Sequence, residues 1–144
     1  ILTNDTSVNH RLLHPQFAHE REYWVQVDGA ITQQALFDLQ SGVTITVNGK
    51  KHRARASQAT LFNPPPAVPE RNPPIRFRKE IPTSWIRMVL TEGKNRQVRK
   101  MTAQTGFPTL RLIRYRIAGI HLEGLLPGDL REMNRDEVYT ALFG

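Results

Sequence analysis

The stretch "TSWIRMVLTEGKNRQVRKMTAQTGFPTLRLIRYRI", residues 83–117, decides the fold class, because two alternating segments flank a basic one within it. Large side chains alternate with a period of two over residues 83–90 and again over residues 109–117, which predicts two strands. Asn95 is the predicted cap of a helix between them, and Gly106 is its predicted end. The stretch therefore predicts a strand, a helix and a second strand.

The segments that precede this stretch predict a strand, a helix and a hairpin. Residues 21–29, "REYWVQVDG", alternate and end in glycine, which is typical of a strand. Thr32 is the predicted cap of the helix that follows, and Gly42 is its predicted end. Two further alternating runs, "VTITV" and "KKHRARASQATLF", flank the pair Asn48-Gly49. This arrangement predicts a β-hairpin with a two-residue type I′ turn.

The ends of the chain and one internal segment complete the pattern. Residues 1–3, "ILT", have the composition of the end of a buried strand, and Pro15 is the predicted stop of a short helix after it. Residues 63–75 contain six prolines, which predicts an extended loop. Residues 125–133 predict a turn and a closing strand, and residues 134–144 predict a capped terminal helix.

Strands and helices follow one another without regular βαβ alternation, which favours the α+β class. We expect a mixed, mainly antiparallel sheet flanked by helices, in a single domain that covers residues 1–144. A chain of 144 residues with 39% hydrophobic content is long enough to form one core. No apolar run approaches the roughly 20 residues that cross a bilayer. The expectation is a cytoplasmic protein that does not contact a membrane.

The positive charge of the chain is concentrated in its first 116 residues. Residues 1–116 hold 18 Lys+Arg and 8 Asp+Glu, whereas residues 117–144 hold 2 and 5. One-signed stretches favour a polyanionic partner such as a nucleic acid over a merely solubilising surface, because each neutralised phosphate releases counterions. On the predicted helix, Arg96 and Lys100 are four residues apart and should point together. The candidate contacts to nucleic acid are Lys50, Lys51, Arg53, Arg55, Lys94, Arg96, Gln97, Lys100, Arg111 and Arg114.

Metal and nucleotide-cofactor chemistry find no support in the sequence. The pair His10 and His14 has helical spacing for zinc, but no third ligand accompanies it, and the chain has no cysteine. Glycine-rich phosphate loops of the Gly-x-Gly-x-x-Gly or Gly-Lys-Ser/Thr type do not occur. We therefore expect neither a metal site nor a cofactor.

Two residues could take part in chemistry, and each has a second interpretation. Tyr23 and Trp24 are consecutive on a predicted strand and face opposite sides, so one can be core while the other faces a site. A tyrosine can stack on an unstacked base, but strand aromatics are mostly packing residues. Arg99 lies near the apolar side of its predicted helix and needs an anionic partner. That partner is a structural carboxylate or a phosphate, which charge alone favours, or else a catalytic carboxylate.

Several motifs resemble those of one enzyme family. "EGKNRQVRKM", residues 92–101, and the segment from residue 106 to residue 133 resemble the closing part of the ribosomal RNA pseudouridine synthases. "REYWVQVDG" resembles their tyrosine-bearing strand, and residues 71–115 are most similar to the enzymes of the large ribosomal subunit. The likeness spans nearly the whole chain from residue 2 onward.

The resemblance implies an isomerase that needs neither metal nor cofactor and acts on ribosomal RNA. In that family a uridine is flipped out, its N-glycosidic bond is cleaved, and the uracil is reattached through C5. An aspartate is the central catalyst, and the matching motifs give Tyr23 the role of the tyrosine that packs on the base. Arg99 matches the basic partner of the aspartate, and Leu112 matches the leucine that packs nearby. The basic residues become candidate RNA contacts.

The family's aspartate lies in a Gly-Arg-Leu-Asp stretch that this sequence does not contain. Neither Asp5 nor Asp28 lies in a matching motif, and Arg21 stands where the family commonly has lysine. We therefore expect a catalytic domain that is truncated on its N-terminal side and is inactive by itself. The alternatives are a non-catalytic RNA-binding module and a basic structural protein of the ribosome. The sequence leaves the target uridine and the oligomeric state open.

Overall fold

The structure is a computed structural model that describes residues 1–14, 17–69 and 81–144. The predicted stop at Pro15 and part of the predicted loop over residues 63–75 lie outside the described residues. The described helices are α1 (Thr6–Leu13), α2 (Gln33–Ser41), α3 (Gln97–Gln104) and α4 (Arg135–Phe143). The described strands are β1 (Arg21–Asp28), β2 (Val43–Val47), β3 (Lys50–Ala54), β4 (Gln58–Leu61), β5 (Thr83–Leu90), β6 (Thr109–Ile117) and β7 (Ile120–His121).

The main sheet has five strands in the order β4-β5-β1-β6-β7, and every pairing between neighbours in it is antiparallel. Strands β2 and β3 form a separate two-stranded hairpin. Helices accompany this mainly antiparallel sheet, so the predicted α+β class is confirmed. Strand β1 lies at the centre, with β5 on one side and β6 on the other. Side chains of β1 are therefore surrounded by neighbours on both strands.

Alternation along β1 divides its side chains between the two faces of the sheet. Tyr23, Val25 and Val27 are buried in the larger core, which also contains residues of α2, α3 and the hairpin. A smaller core joins α1, β6 and α4 through Val8, Leu12, Ile117 and Leu142. The larger core fixes α3 on the face of the sheet that carries Tyr23.

Several local predictions are confirmed because their causes lie within a few residues. Thr32 accepts a hydrogen bond from the backbone N–H of Ala35 at 3.1 Å and begins α2, which ends at Gly42. The hairpin turn has positive φ at Asn48 (51°) and Gly49 (78°), as a type I′ turn requires. Asn134 caps α4 in a reciprocal pair of hydrogen bonds with Glu137.

Other local predictions were wrong. Helix α3 begins at Gln97 and not after a cap at Asn95; Arg96, at φ 54°, is its N-cap and makes no side-chain capping bond. Arg96 therefore precedes the helix and does not share a face of it with Lys100. Residues 1–3 form no strand, and Ile1 and Leu2 are exposed.

Two predicted strand segments also differ from the structure. Residues 125–133 contain turns and no strand, because this segment pairs with no neighbour in the described sheet. The predicted second hairpin strand ends early, at Ala54, and the chain then enters β4, which pairs with β5 in the main sheet. None of the helices in the three described ranges is both long and apolar enough to cross a membrane.

Candidate functional site

The register of the main sheet brings Tyr23, Leu112 and Arg114 onto one face. Tyr23 pairs with Arg114, and Val25, which lies on the same face as Tyr23, pairs with Leu112. Since paired residues point to the same face of a sheet, the side chains of Tyr23, Leu112 and Arg114 lie on one face. The guanidinium carbon of the exposed Arg114 lies 5.8 Å from the centroid of the Tyr23 ring. At this distance a cation is attracted to the face of the ring. Tyr23 is only 7% exposed, and Leu112 packs against the same core.

Arg99 lies on α3, the helix that packs against this face of the sheet. Val98 and Met101 of the same helix are buried in the core that contains Tyr23. Arg99 itself is partly buried. No hydrogen bond or ion pair of its guanidinium is found within the described part of the chain. The structural ion pair that charge alone favoured is thus not formed there, and the cation is available to an external anion.

A compact network holds the turn that leads into α3. Gln97 accepts a hydrogen bond from the Lys94 N–H through Oε1 (3.1 Å) and donates from Nε2 to Glu92 Oε1 (2.9 Å). The same oxygen of Glu92 lies 2.7 Å from His52 Nε2 on strand β3. Gln97 is 3% exposed. The side chain predicted to contact RNA is therefore turned inward and supports the turn.

The contact between His52 and Glu92 also brings together the two basic segments found in the sequence. One segment is residues 50–55, which are strand β3 of the hairpin and the residue after it, and we call it the basic hairpin. The other segment is the loop and helix of residues 94–100. Lys94 and Arg96 are exposed and Lys100 is partly exposed. In the basic hairpin the exposed cations are Lys50, Lys51, Arg53 and Arg55. Alternation along β3 places Lys50 on the hairpin face that carries His52, whereas Lys51 and Arg53 lie on the opposite face.

Arg111 lies on the opposite face of the sheet from Arg114, as the predicted alternation of this strand requires. It pairs with Gln26, and its guanidinium carbon is 5.4 Å from the ring centroid of Trp85. Its Nη2 also donates to the carbonyl of Pro69 at 2.7 Å. The two arginines cannot contact one short RNA segment on a single face.

Sequence reasoning missed a buried ion network on that opposite face. Glu22 is 6% exposed and accepts hydrogen bonds from Arg87 (3.0 Å), Arg116 (3.2 Å) and the Trp24 indole (2.9 Å). Burial alone would raise the pKa of Glu22, but these donors outweigh it and hold the pKa below its ordinary value. A sequence signal for this network was available. Glu22 and Trp24 share one face of β1, and the neighbouring strands carry Arg87 and Arg116.

Asp5 and Arg21 have structural positions. Asp5 caps α1 by accepting from the Ser7 N–H at 2.9 Å and also accepts from the Tyr139 hydroxyl at 2.9 Å. The hydrogen bond from Tyr139 is the main cause that lowers the pKa of Asp5. Arg21 is 8% exposed and donates to the carbonyl oxygen of Leu12 at 2.8 Å, near the end of α1. Neither side chain is placed as a partner of Arg99 by these contacts.

The described residues contain no group of three or more His, Cys, Asp or Glu side chains arranged to hold a metal ion.

A cleft of about 790 Å³ runs beside β6 and β7, and its lining includes Arg114, Arg116, His121 and Arg131. Arg114 is thus shared between this cleft and the ring of Tyr23.

Comparison of the sequence with known proteins gives consistent matches. The sequence profile of the RNA pseudouridylate synthase family matches residues 1–104. The ribosomal large subunit pseudouridine synthase E of Vibrio vulnificus is 43% identical over 93% of this chain and 55% of its own length. The enzyme of the same name from Xanthomonas axonopodis pv. citri is 42% identical over 88% of this chain and 65% of its own length. The ribosomal large subunit pseudouridine synthase B of Bacillus subtilis is 31% identical over 96% of the chain and 50% of its own length.

The fold is also found in a solved structure. The crystal structure of a pseudouridylate synthase superposes with a TM-score of 0.69 over 97% of this chain and 52% of that chain, at 20% sequence identity. At this identity the likeness concerns the fold alone. The chain spans about half the length of that protein and between half and two thirds of the length of the relatives named above.

Proposed function

The chain belongs to the RNA pseudouridylate synthase family, and from this premise we propose that its protein isomerises a uridine of large-subunit ribosomal RNA to pseudouridine. Residues 1–144 then form part of the catalytic domain, and the reaction takes place in the cytoplasm. The names of the relatives support the choice of substrate, and the exposed cations of the chain suit an RNA partner.

Tyr23 is proposed to receive the flipped base. Extruding a nucleotide costs a few kcal/mol, and stacking on an aromatic ring returns roughly 1–3 kcal/mol. Arg114 now lies over that ring, 5.8 Å from its centroid. A phosphate of the flipped nucleotide would draw the Arg114 guanidinium away and open the ring to the base. Leu112, which packs against the same core, would limit where the base can lie.

Arg99 is proposed to hold the catalytic carboxylate. A guanidinium that contacts a carboxylate bidentately keeps it ionised and fixes its orientation, so the carboxylate can attack or deprotonate the flipped nucleotide. The 144 residues contain no Gly-Arg-Leu-Asp stretch. We propose that the carboxylate lies in such a stretch elsewhere in the protein, and that these 144 residues alone do not isomerise uridine.

The observation that carries the proposal is the position of Arg99. It is partly buried on a helix packed into the same core as Tyr23, and no hydrogen bond or ion pair of its side chain is found among the described residues. Leaving a partly desolvated charge unpaired is unfavourable, so a native anionic partner is expected.

The test compares the full-length protein with the 144-residue chain on unmodified large-subunit ribosomal RNA. Pseudouridine is mapped by its chemical adduct as stops in reverse transcription. We expect one new pseudouridine with the full-length protein and none with the 144-residue chain. Absence of any new pseudouridine with a folded, RNA-binding full-length protein would refute the proposed reaction.

A non-catalytic RNA-binding module is the second candidate, because the contact between His52 and Glu92 lies between two segments that carry exposed cations. This candidate predicts that the full-length protein binds the same RNA and modifies none of it. The mapping experiment therefore separates the two functions when a binding assay is run beside it.

A further inference from the structure

We propose that Glu92 and Gln97 are positioning residues that hold the helix carrying Arg99 in register with the basic hairpin. The inference rests on the proposed function and deepens it. In this proposal the Glu92 carboxylate connects the basic hairpin, which would bind RNA, to the helix that carries Arg99, which would act in the reaction.

Helix α3 begins at a turn that the Gln97 side chain holds in place. The backbone turns into the helix at Arg96, whose φ of 54° lies in the left-handed region, and Arg96 makes no side-chain capping bond. The Gln97 side chain closes this turn from inside, with bonds to the Lys94 N–H (3.1 Å) and to Glu92 (2.9 Å). The backbone N–H of Gln97 also donates to the Lys94 carbonyl at 3.1 Å. The direction of the first turn of α3 therefore depends on Gln97.

Glu92 connects this turn to another element, the hairpin. Its Oε1 accepts from Gln97 and lies 2.7 Å from His52 Nε2 on strand β3. His52 stands between Lys51 and Arg53 in the basic hairpin. Glu92 Oε1 thus gives the hairpin a polar connection to the start of α3, in addition to the packing of both elements in the larger core. A displacement of the hairpin by a bound phosphate is therefore expected to displace the start of the helix.

The connection would matter for the reaction because it helps to fix the position of Arg99. Arg99 follows Gln97 by two residues on a helix of only eight, so a tilt of the first turn displaces the guanidinium. Misplacing a catalytic group by about 1 Å can cost about 100-fold in rate. Contacts remote from the reacting bond raise the rate only if their binding energy is used to hold such groups in place. Through Glu92, binding energy from RNA contacts at the hairpin could hold Arg99 in place.

The main experiment compares Glu92→Ala with Glu92→Gln in the full-length protein. The glutamine amide oxygen can still accept from Gln97 and His52, whereas alanine cannot. We expect Glu92→Ala to lower the single-turnover rate at saturating RNA by about 10- to 100-fold without weakening the Kd for RNA. Glu92→Gln should stay within about threefold of the wild type, because the geometry is retained. Glu123→Ala, which removes an exposed carboxylate, is the control and should leave both quantities unchanged.

A second experiment tests whether the hairpin acts through this connection. Lys50→Ala, on the hairpin face that carries His52, is measured in the wild-type background and in a His52→Ala background, at saturating RNA. With the connection intact, Lys50→Ala should lower the single-turnover rate; with it broken, the rate loss from Lys50→Ala should be smaller. Rate losses that multiply independently would overturn the coupling.

A third readout does not depend on the reaction. Amide hydrogen exchange at Gln97 and Lys100, whose N–H groups donate to the carbonyls of Lys94 and Arg96, should accelerate in Glu92→Ala and in Gln97→Leu but not in Glu92→Gln. Unchanged exchange together with a wild-type rate for Glu92→Ala overturns the inference. If the wild-type protein forms no pseudouridine, the proposed function fails, while the exchange measurement still decides whether Glu92 and Gln97 position the helix. If Glu92→Ala does not fold, His52→Ala supplies the same break from the hairpin side.

Discussion

Glu22 in the central strand and Arg99 on α3 are both charged, but their side chains differ in whether they have partners. Glu22 is 6% exposed and is surrounded by donors from Arg87, Arg116 and Trp24. Arg99 has no hydrogen-bond or ion-pair partner among the described residues. A satisfied buried charge contributes to folding, whereas an unsatisfied one is retained at a cost in stability. The two residues should therefore respond differently to substitution.

Replacing Glu22 with glutamine should destabilise the fold. The variant keeps the shape of the side chain but removes the carboxylate partner of Arg87 and leaves Arg116 with Glu20 alone, which we expect to cost about 1–3 kcal/mol in the free energy of unfolding. Both arginines remain partly exposed, and this keeps the loss below that of a fully buried pair. Urea unfolding measures the change. Glu20→Gln is the matched control, because Glu20 is 51% exposed and lies 3.5 Å from the same Arg116.

The same residue makes stability depend on pH. The folded-state pKa of Glu22 is below its ordinary value of 4.5, so the folded protein binds fewer protons at this site than the unfolded chain. The stabilisation is therefore complete above about pH 5 and is lost as the pH falls through the folded-state pKa. We expect the slope of unfolding free energy against pH to be smaller in Glu22→Gln than in the wild type in the window between the folded-state pKa and about pH 5, where the unfolded chain binds the proton and the folded protein does not. Equal slopes would contradict the assignment.

Replacing Arg99 with glutamine should separate activity from stability. Since the side chain has no partner among the described residues, the free energy of unfolding should change by no more than about 0.5 kcal/mol. Pseudouridine formation by the full-length protein should fall by at least about 100-fold, because the carboxylate loses its cation. Thermal unfolding and the single-turnover rate measure the two effects. A large loss of stability with little loss of activity would mean that Arg99 serves the fold.

At the scale of elements, the sequence predicted those whose ends are set by local chemistry. The cap at Thr32, the turn at Asn48-Gly49 and the capping box at Asn134 each depend on residues within four positions. The start of α3 could not be predicted in this way. It is fixed by Gln97 reaching back to Glu92 and by Glu92 reaching His52, 40 residues away. A polar residue in a basic segment gives no local sign that it will be buried.

The turn between β6 and β7 offers a test of packing between elements. The backbone N–H of Gly119 donates to the Ala141 carbonyl at 2.8 Å, and a Cβ added at Gly119 would overlap that oxygen. Gly119→Ala must therefore displace the end of α4, which we expect to cost at least about 2 kcal/mol in unfolding free energy. Gly128→Ala is the comparison: its φ is also unfavourable for alanine, at 89°, but nothing lies within 4 Å of the added carbon. Its cost should be only about 1 kcal/mol.

At the scale of the whole molecule, the candidate site could be predicted in part because alternation and charge are visible in the sequence. The opposite directions of Arg111 and Arg114 followed from the period of the strand and are seen in the structure. The union of the two basic segments could not be predicted, since it depends on how the hairpin packs on α3. The ion network around Glu22 depends likewise on the register of three strands.

That union of basic segments makes a prediction about RNA binding by the full-length protein. If the hairpin and the α3 segment meet the same RNA, Lys50→Ala and Lys94→Ala should each reduce the slope of log K against log salt by about 1, and together by about 2. Both lysines are exposed, so their removal should not affect folding. Arg135→Ala on α4, an exposed cation outside both segments, should leave the slope unchanged. A slope that responds to Lys94 but not to Lys50 would exclude this face of the hairpin from the RNA-binding surface, and bound RNA could then not act on Arg99 through Glu92.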